Sequence, residues 1–359
     1  MTILKKRRSE IEMERKGRLT ILAGLCLILF LAAQGIMMIC VQQIQAAPDH
    51  EEVILTLVTS RFGSQTYVTG YAVEKLFKRA KHPWLKVIAM EGIGGTDNAL
   101  TYQKLPKEKR ATRIINVGDA GYMAALRGSK PWFKKPIKFL RGVCSLGNGE
   151  LFFASFDPNI KTIYDLAGKK LGGPNMGSSS SVRLLRFLEA AGIKDKVDVK
   201  WLGFRKAPEA LGDRKVDAIL VVSFGHEVVG GFKPLFAARK DKLYIAEIPP
   251  ELFPKVYKAG WPLLSAKLKP GTLIPNQKTA ITVHRMLVSW WTGMDTEPEV
   301  VYEFLKVIYD NIGMFTDYLS QATSPTRADM PTLPVLSEKE MHPGALKFYK
   351  EVGMKIGPQ

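Results

Sequence analysis

The 359 residues carry 52 lysines and arginines against 34 acidic residues, a formal charge of +18, and 46% of them are hydrophobic. Such a chain has the apolar content of a folded protein, its length suggests about two domains, and a disordered chain is excluded. Of three cysteines only Cys144 lies beyond the N-terminal apolar stretch, so the body has no internal disulfide and is not a disulfide-stapled secreted mini-domain.

Residues 1–46 hold seven basic side chains and three glutamates, a net +4, which leaves +14 for the rest. A basic body favours anionic partners: acidic solutes or phospholipid head groups. Nucleic acid is not expected, because the basic residues are spread along the chain and neither zinc-finger spacing nor an aromatic RNA-binding signature occurs. After the basic residues 1–18 come the 23 uncharged residues Leu19 to Val41, then Gln45-Ala46-Ala47-Pro48, a small-residue cleavage candidate. This order is that of a signal peptide. The apolar run is also long enough, at about 1.5 Å per residue, for a transmembrane helix acting as a membrane anchor. Either way residues 1–47 export the body to the periplasm or the outer face of the inner membrane, because a positive N-terminus stays cytoplasmic.

From Pro48 onward, apolar runs alternate with helical stretches. Strands are predicted at Val53–Thr59, Leu85–Met90, Arg113–Val117, Lys138–Val143, Leu151–Ser155, Leu171, Val197–Leu202 and Val216–Val222. Helices are predicted at Tyr67–Arg79, Thr96–Lys104, through Tyr122–Leu126, at Val182–Ala191 with Gly192 as its stop, and at Ala207–Leu211. Thr296-Glu297-Pro298-Glu299 reads as a capping box opening a helix with Val300, Val301, Phe304, Leu305 and Ile308 on one face. The alternation implies an α/β fold with parallel sheet, in two units, with no linker between them.

Ligands of open parallel sheets lie beyond the carboxyl ends of strands, at helix N-termini. Three loops have that position. The first contains Arg61, Gly63, Ser64 and Tyr67, the second Gly94, Gly95, Thr96 and Asn98, and the third Gly177, Ser178, Ser179 and Ser180. Exposed amides there suit a carboxylate or phosphate; each loop taken alone is also compatible with a simple turn and cap. Ser178 stands where a phosphate loop needs its lysine, which argues against a nucleotide. Arg61 is either a carboxylate fork or a surface arginine. Asp119, after the third strand, either caps its helix or accepts from a ligand amine. Phe204 either reaches the same cleft from the second unit or forms a surface turn. No metal-ligand spacing, hydrolase elbow or other catalytic set is visible, so neither a cofactor nor enzymatic activity is expected. Cys144, His226 and Asp119 are the candidates an enzyme reading would have to use.

Several stretches resemble one family in order. These are Asp165-Leu-Ala-Gly-Lys-Lys with its Gly/Pro/Ser-rich turn and Phe187-Leu-Glu-Ala-Ala-Gly-Ile193, Gly94-Gly95-Thr96, Lys215-Val216-Asp217-Ala218, and His342-Pro343-Gly344-Ala345 with Phe348-Tyr349-Lys350-Glu351. From about Ile54 to the end the sequence is similar to the TAXI-type solute receptors of TRAP transporters. The resemblance implies a periplasmic-binding-protein fold of type II, with two α/β lobes, a ligand cleft and two hinge crossings. Residues 48–144 would be the first part of lobe I, 145–278 lobe II, and 279–359 the return to lobe I with C-terminal helices. It also implies a small carboxylate-bearing solute, glutamate-like or another amino or organic acid, delivered to TRAP-type membrane permease subunits. The first loop departs from the family pattern at Arg61, Phe62, Ser64, Gln65 and Thr66, and Val117 replaces a glutamine. A membrane-anchored sensor or scaffold on the same fold is the alternative, and an enzyme on it a further one.

Overall fold

A computed structural model describes residues 50–62, 64–225, 227–320 and 323–357. The expected signal or anchor in 1–47, Gly63 and His226 lie outside the described residues. Among the described residues no helix is long and apolar enough to cross a membrane.

The strands are β1 (Val53–Val58), β2 (Leu85–Met90), β3 (Arg113–Asn116), β4 (Leu140–Ser155), β5 (Lys170–Gly173), β6 (Asp198–Trp201), β7 (Ala218–Phe224), β8 (Glu227–Val228), β9 (Tyr244–Ala246), β10 (Leu264–Leu268) and β11 (Ile281–Gly293). The helices are α1 (Gln65–Ala80), α2 (Gly95–Tyr102), α3 (Lys107–Ala111), α4 (Asp119–Arg127), α5 (Ser179–Ala190), α6 (Gly203–Gly212), α7 (Lys233–Arg239), α8 (Leu252–Lys258), α9 (Pro298–Asp310) and α10 (Pro343–Glu351).

The strands form one mixed sheet in the order β2-β1-β3-β11-β4-β7-β5-β6, with β10 on β11, β8 on β7 and β9 on β4. Strands β2, β1 and β3 are parallel, as are β7, β5 and β6, and both sets flank the antiparallel pair β4 and β11. The expected α/β fold of periplasmic-binding-protein type is what this order describes: two βα units, with one long strand leaving the first and another returning beside it. Strand β4 corrects the sequence reading, which divided it at Cys144–Glu150. Gly147 and Gly149 look like a turn, yet the polar middle is held in extended form by pairing with β11. The pairing slips between Leu287 and Ser289 and again between Trp290 and Trp291, the irregularity expected where a strand must bend.

Local chemistry explains the flanking elements. Ser64 caps α1, accepting from the Tyr67 amide at 3.2 Å, and Thr69, Ala72, Val73, Leu76 and Phe77 form its buried stripe. Phe77 stacks on Phe304 of α9 with ring centroids 5.6 Å apart, which brings the C-terminal helices back onto the first unit. The capping box expected at Thr296 does not form. Its hydroxyl pairs with Thr292 at 2.7 Å, and Glu297 takes the N-cap position without a side-chain bond. The outer edge strand β2 has side chains on its amides: His82 Nδ1 accepts from Leu85 at 3.0 Å and Glu74 Oε2 from Ala89 at 2.7 Å.

Candidate functional site

The carboxyl ends of β1, β2, β3 and β5 open onto loops that lead into α1, α2, α4 and α5. The first two loops are tied together at their base. Ser60 donates to Asn116 Oδ1 at 3.2 Å, and Phe62 N–H donates to Glu91 at 2.9 Å. Asn98 accepts from Gly94 N–H at 2.9 Å and donates to the Thr59 and Asn116 carbonyls at 2.8 and 2.9 Å. Its side chain is therefore spent on joining the ends of β1 and β3 to the second loop, not offered to a ligand.

The second and third loops meet directly. Gly95 (φ +56°) faces Ser178 and Ser179, and a β-carbon there would stand 2.9 Å from the Ser179 amide nitrogen. Only glycine gives both this backbone and this approach. Gly177 (φ +90°) lies beside Thr96 and Asp97. Ser178 is the N-cap of α5, accepting from Ser181 N–H at 3.2 Å. Two hydroxyls at this seam, Thr96 Oγ1 and Ser179 Oγ, are buried and have no hydrogen-bond partner. Buried polar atoms are rarely left so, and the cost points to a group they are made to meet.

Asp119 does not cap its helix, since Gly118 holds the N-cap. It is 1% exposed and forms an ion pair with Arg183 of α5, itself 2% exposed, with Nε–Oδ1 2.6 Å. The same Oδ1 accepts from Ala120 N–H at 2.5 Å, Oδ2 accepts from Leu287 N–H at 3.3 Å, and His284 Nε2 stands 3.6 Å from Oδ2. Burial pushes this carboxyl up, but the Arg183 charge and His284 outweigh it and hold the group well below the usual carboxylate range. Ser180 accepts from Arg183 Nη1 at 3.3 Å and fixes the fork.

The remaining expected residues divide. Ser64 and Tyr67 sit at the start of α1; the Tyr67 ring packs between Phe62 (5.2 Å) and Tyr71 (4.5 Å). Arg61 is exposed, and the nearby Asp97 carboxyl is pushed up by burial and pulled down by the Arg61 charge. Phe62, one of the departures from the family pattern, is 78% exposed. Phe204 begins α6 but turns its ring onto Phe232 at 5.4 Å, within the second unit. Val117 is fully buried and presents its carbonyl to Ser289 and Trp291 at 2.8 and 2.7 Å. Cys144 is buried, its thiol pushed up by burial, so it is a core residue and no thiolate nucleophile. Among the described residues no group of three or more His, Cys, Asp or Glu side chains could hold a metal ion.

Sequence reasoning missed Arg183 and His284. Arg183 follows Val182 and precedes Leu184 in a helix, a setting that reads as one polar residue on a solvent face. The signal was the run Ser178–Ser181 before it: a first turn of small hydroxyl residues lets a neighbouring element press against the helix and bury whatever comes next.

A model of the NMT1-like family matches residues 57–353. Among solved structures the chain is similar to MatC from Rhodopseudomonas palustris with bound malate, at 14% identity over 84% of this chain and 96% of that one, with a TM-score of 0.48. It is also similar to a TctC solute binding protein from Polaromonas, at 14% identity over 78% and 91% of the two chains, TM-score 0.46. The periplasmic aliphatic sulphonate binding protein SsuA from Escherichia coli aligns at 16% identity over 77% and 86%, TM-score 0.40. No curated protein matches the sequence.

Proposed function

This chain belongs to the NMT1-like family, and we propose that it is an exported, non-enzymatic receptor that captures a small carboxylate-bearing solute between its two α/β units. In this reading it passes the solute to membrane permease subunits, as a TAXI-type receptor of a TRAP transporter would. The observation that carries it is the seam between the second and third loops. There the N-termini of α2, α4 and α5 meet, and Thr96 Oγ1 and Ser179 Oγ are buried without partners. Helix N-termini present free amides and partial positive charge, and hydroxyls donate, so the chemistry suits an anion. The charge of +14 beyond residue 46 would speed its arrival. Strands β4 and β11, the long central pair of the sheet, would bend at the Leu287–Ser289 irregularity as the units part.

A thermal-shift screen of amino acids and di- and tricarboxylates tests this reading. A ligand at a hundred times its dissociation constant adds about 2.7 kcal/mol of stability. The reading fails if none of these compounds raises the midpoint.

A sensor or scaffold reading draws on one observation, the direct contact of Gly95 with Ser179, which leaves the units already shut. Solute binding with no effect on uptake by a co-expressed permease would favour it.

A further inference from the structure

The Asp119 carboxylate sits in a receptor for carboxylates that both units build, and we propose that a solute carboxylate takes its place there. This rests on the solute-capture reading and names what the site recognises and what guards it.

The geometry is that of a bound anion. Three N–H groups from three elements bond one carboxylate. Ala120 N–H at the α4 N-terminus lies at 2.5 Å, Arg183 Nε of α5 at 2.6 Å, and Leu287 N–H of β11 at 3.3 Å. His284 Nε2 stands beside it at 3.6 Å, buried and without a hydrogen-bond partner, while its Nδ1–H donates to the Leu264 carbonyl at 2.8 Å. Backbone amides, a helix N-terminus and a guanidinium together form the usual protein answer to a carboxylate. Here the carboxylate belongs to the chain.

Two features make the internal occupant replaceable. First, Asp119 and Arg183 stand on different units, so their bond exists only while the units are together; the chain holds itself shut with its own anion. Second, the occupant leaves the site incompletely used. Ser179 Oγ, one residue from the serine that orients Arg183, and Thr96 Oγ1, beside the Gly95–Ser179 contact, find no acceptor. A solute whose body carries a further acceptor group beyond the carboxylate would also have partners to offer these hydroxyls, which the short Asp119 side chain does not. Solute and Asp119 then compete for Arg183, and apparent affinity is lowered by the fraction of protein that is self-occupied.

Chemical rescue tests this with full-length protein and acetate as the probe. D119A should melt below the parent. Sodium acetate should raise its midpoint by several degrees more than sodium chloride at equal ionic strength, while the parent and D119A/R183Q respond equally to the two salts. If D119A folds only in acetate, that recovery is the same positive result. Equal behaviour of D119A in acetate and chloride, folded or not, overturns the proposal. For any solute found by screening, D119N should bind about tenfold tighter or better than the parent and R183Q at least tenfold weaker; unchanged affinity in D119N overturns it as well. Acetate rescue with no solute in the screen would sustain the carboxylate site and end the capture reading. Solute binding without rescue would do the reverse.

Discussion

Two buried aspartates grip the long strand β11 from different places. Asp119 takes the Leu287 amide of β11, and its main partner, Arg183, comes from the other unit. Asp329, 8% exposed, accepts from Asn148 of β4 at 2.9 Å and from Arg285 of β11 at 3.2 Å, and closes a capping box with Thr326. The first joins two units through a charge pair sealed from water. The second pins a C-terminal turn across the middle of both strands, with a partly exposed arginine and neutral donors.

The sharpest way to break this contrast is to remove one arginine at a time. Arg183→Met leaves a buried carboxylate without its charge partner and should cost about 3–5 kcal/mol in urea unfolding. Arg285→Met removes a half-exposed partner and should cost less than about 1 kcal/mol. Equal losses would mean that the two aspartates do the same job.

Acid gives the next largest effect and separates the Asp119 joint from its surroundings. Burial lowers the His342 pKa to about 4 from 6.5, against the opposing bond to the Thr296 carbonyl. Its Nδ1 accepts from Gly344 N–H, which requires the neutral ring. The unfolded chain therefore binds the proton more readily between those values. Stability from His342 is complete above pH 6.5 and falls by about 3 kcal/mol as pH drops towards 4. Asp119 stays ionised throughout that window. Stability measured against pH should lose most of this slope in His342→Asn; in Arg183→Met the Asp119 carboxyl, buried without its charge partner, titrates higher and adds a slope of opposite sign.

Close packing supplies the third test. A β-carbon at Gly121 would stand 2.3 Å from Ser179 Oγ, so Gly121→Ala should force α4 from α5 and cost about 2 kcal/mol. Adding Ser179→Gly should recover much of it, and no recovery would place the strain elsewhere. Last, Asp329→Ala should cost about 1.5 kcal/mol through the lost cap and the stranded Asn148 amide. It should leave solute affinity unchanged; a shift in affinity would show that the bracket also senses the cleft.

Much of this architecture was legible. Leu85–Met90 was read to the residue because a short β-rich run between Pro83 and a glycine loop has few alternatives. The loops at Gly95 and Gly177 were placed together because both follow strands of a parallel sheet and precede helices. Long-range pairing was hidden. Nothing local joins Asp119 to Arg183, and the β4 residues around Gly147 look like a turn until β11 lies beside them. Asn98 and Phe204 were read as cleft residues for a related reason: position near a loop says nothing of which way a side chain turns.

The rim of the sheet has a consequence of its own. Strand β2 would ordinarily offer its bare amides to any passing chain, but His82 and Glu74 already occupy those of Leu85 and Ala89. Neighbouring molecules thus find fewer free amides to pair with along that side, which discourages edge-to-edge polymerisation.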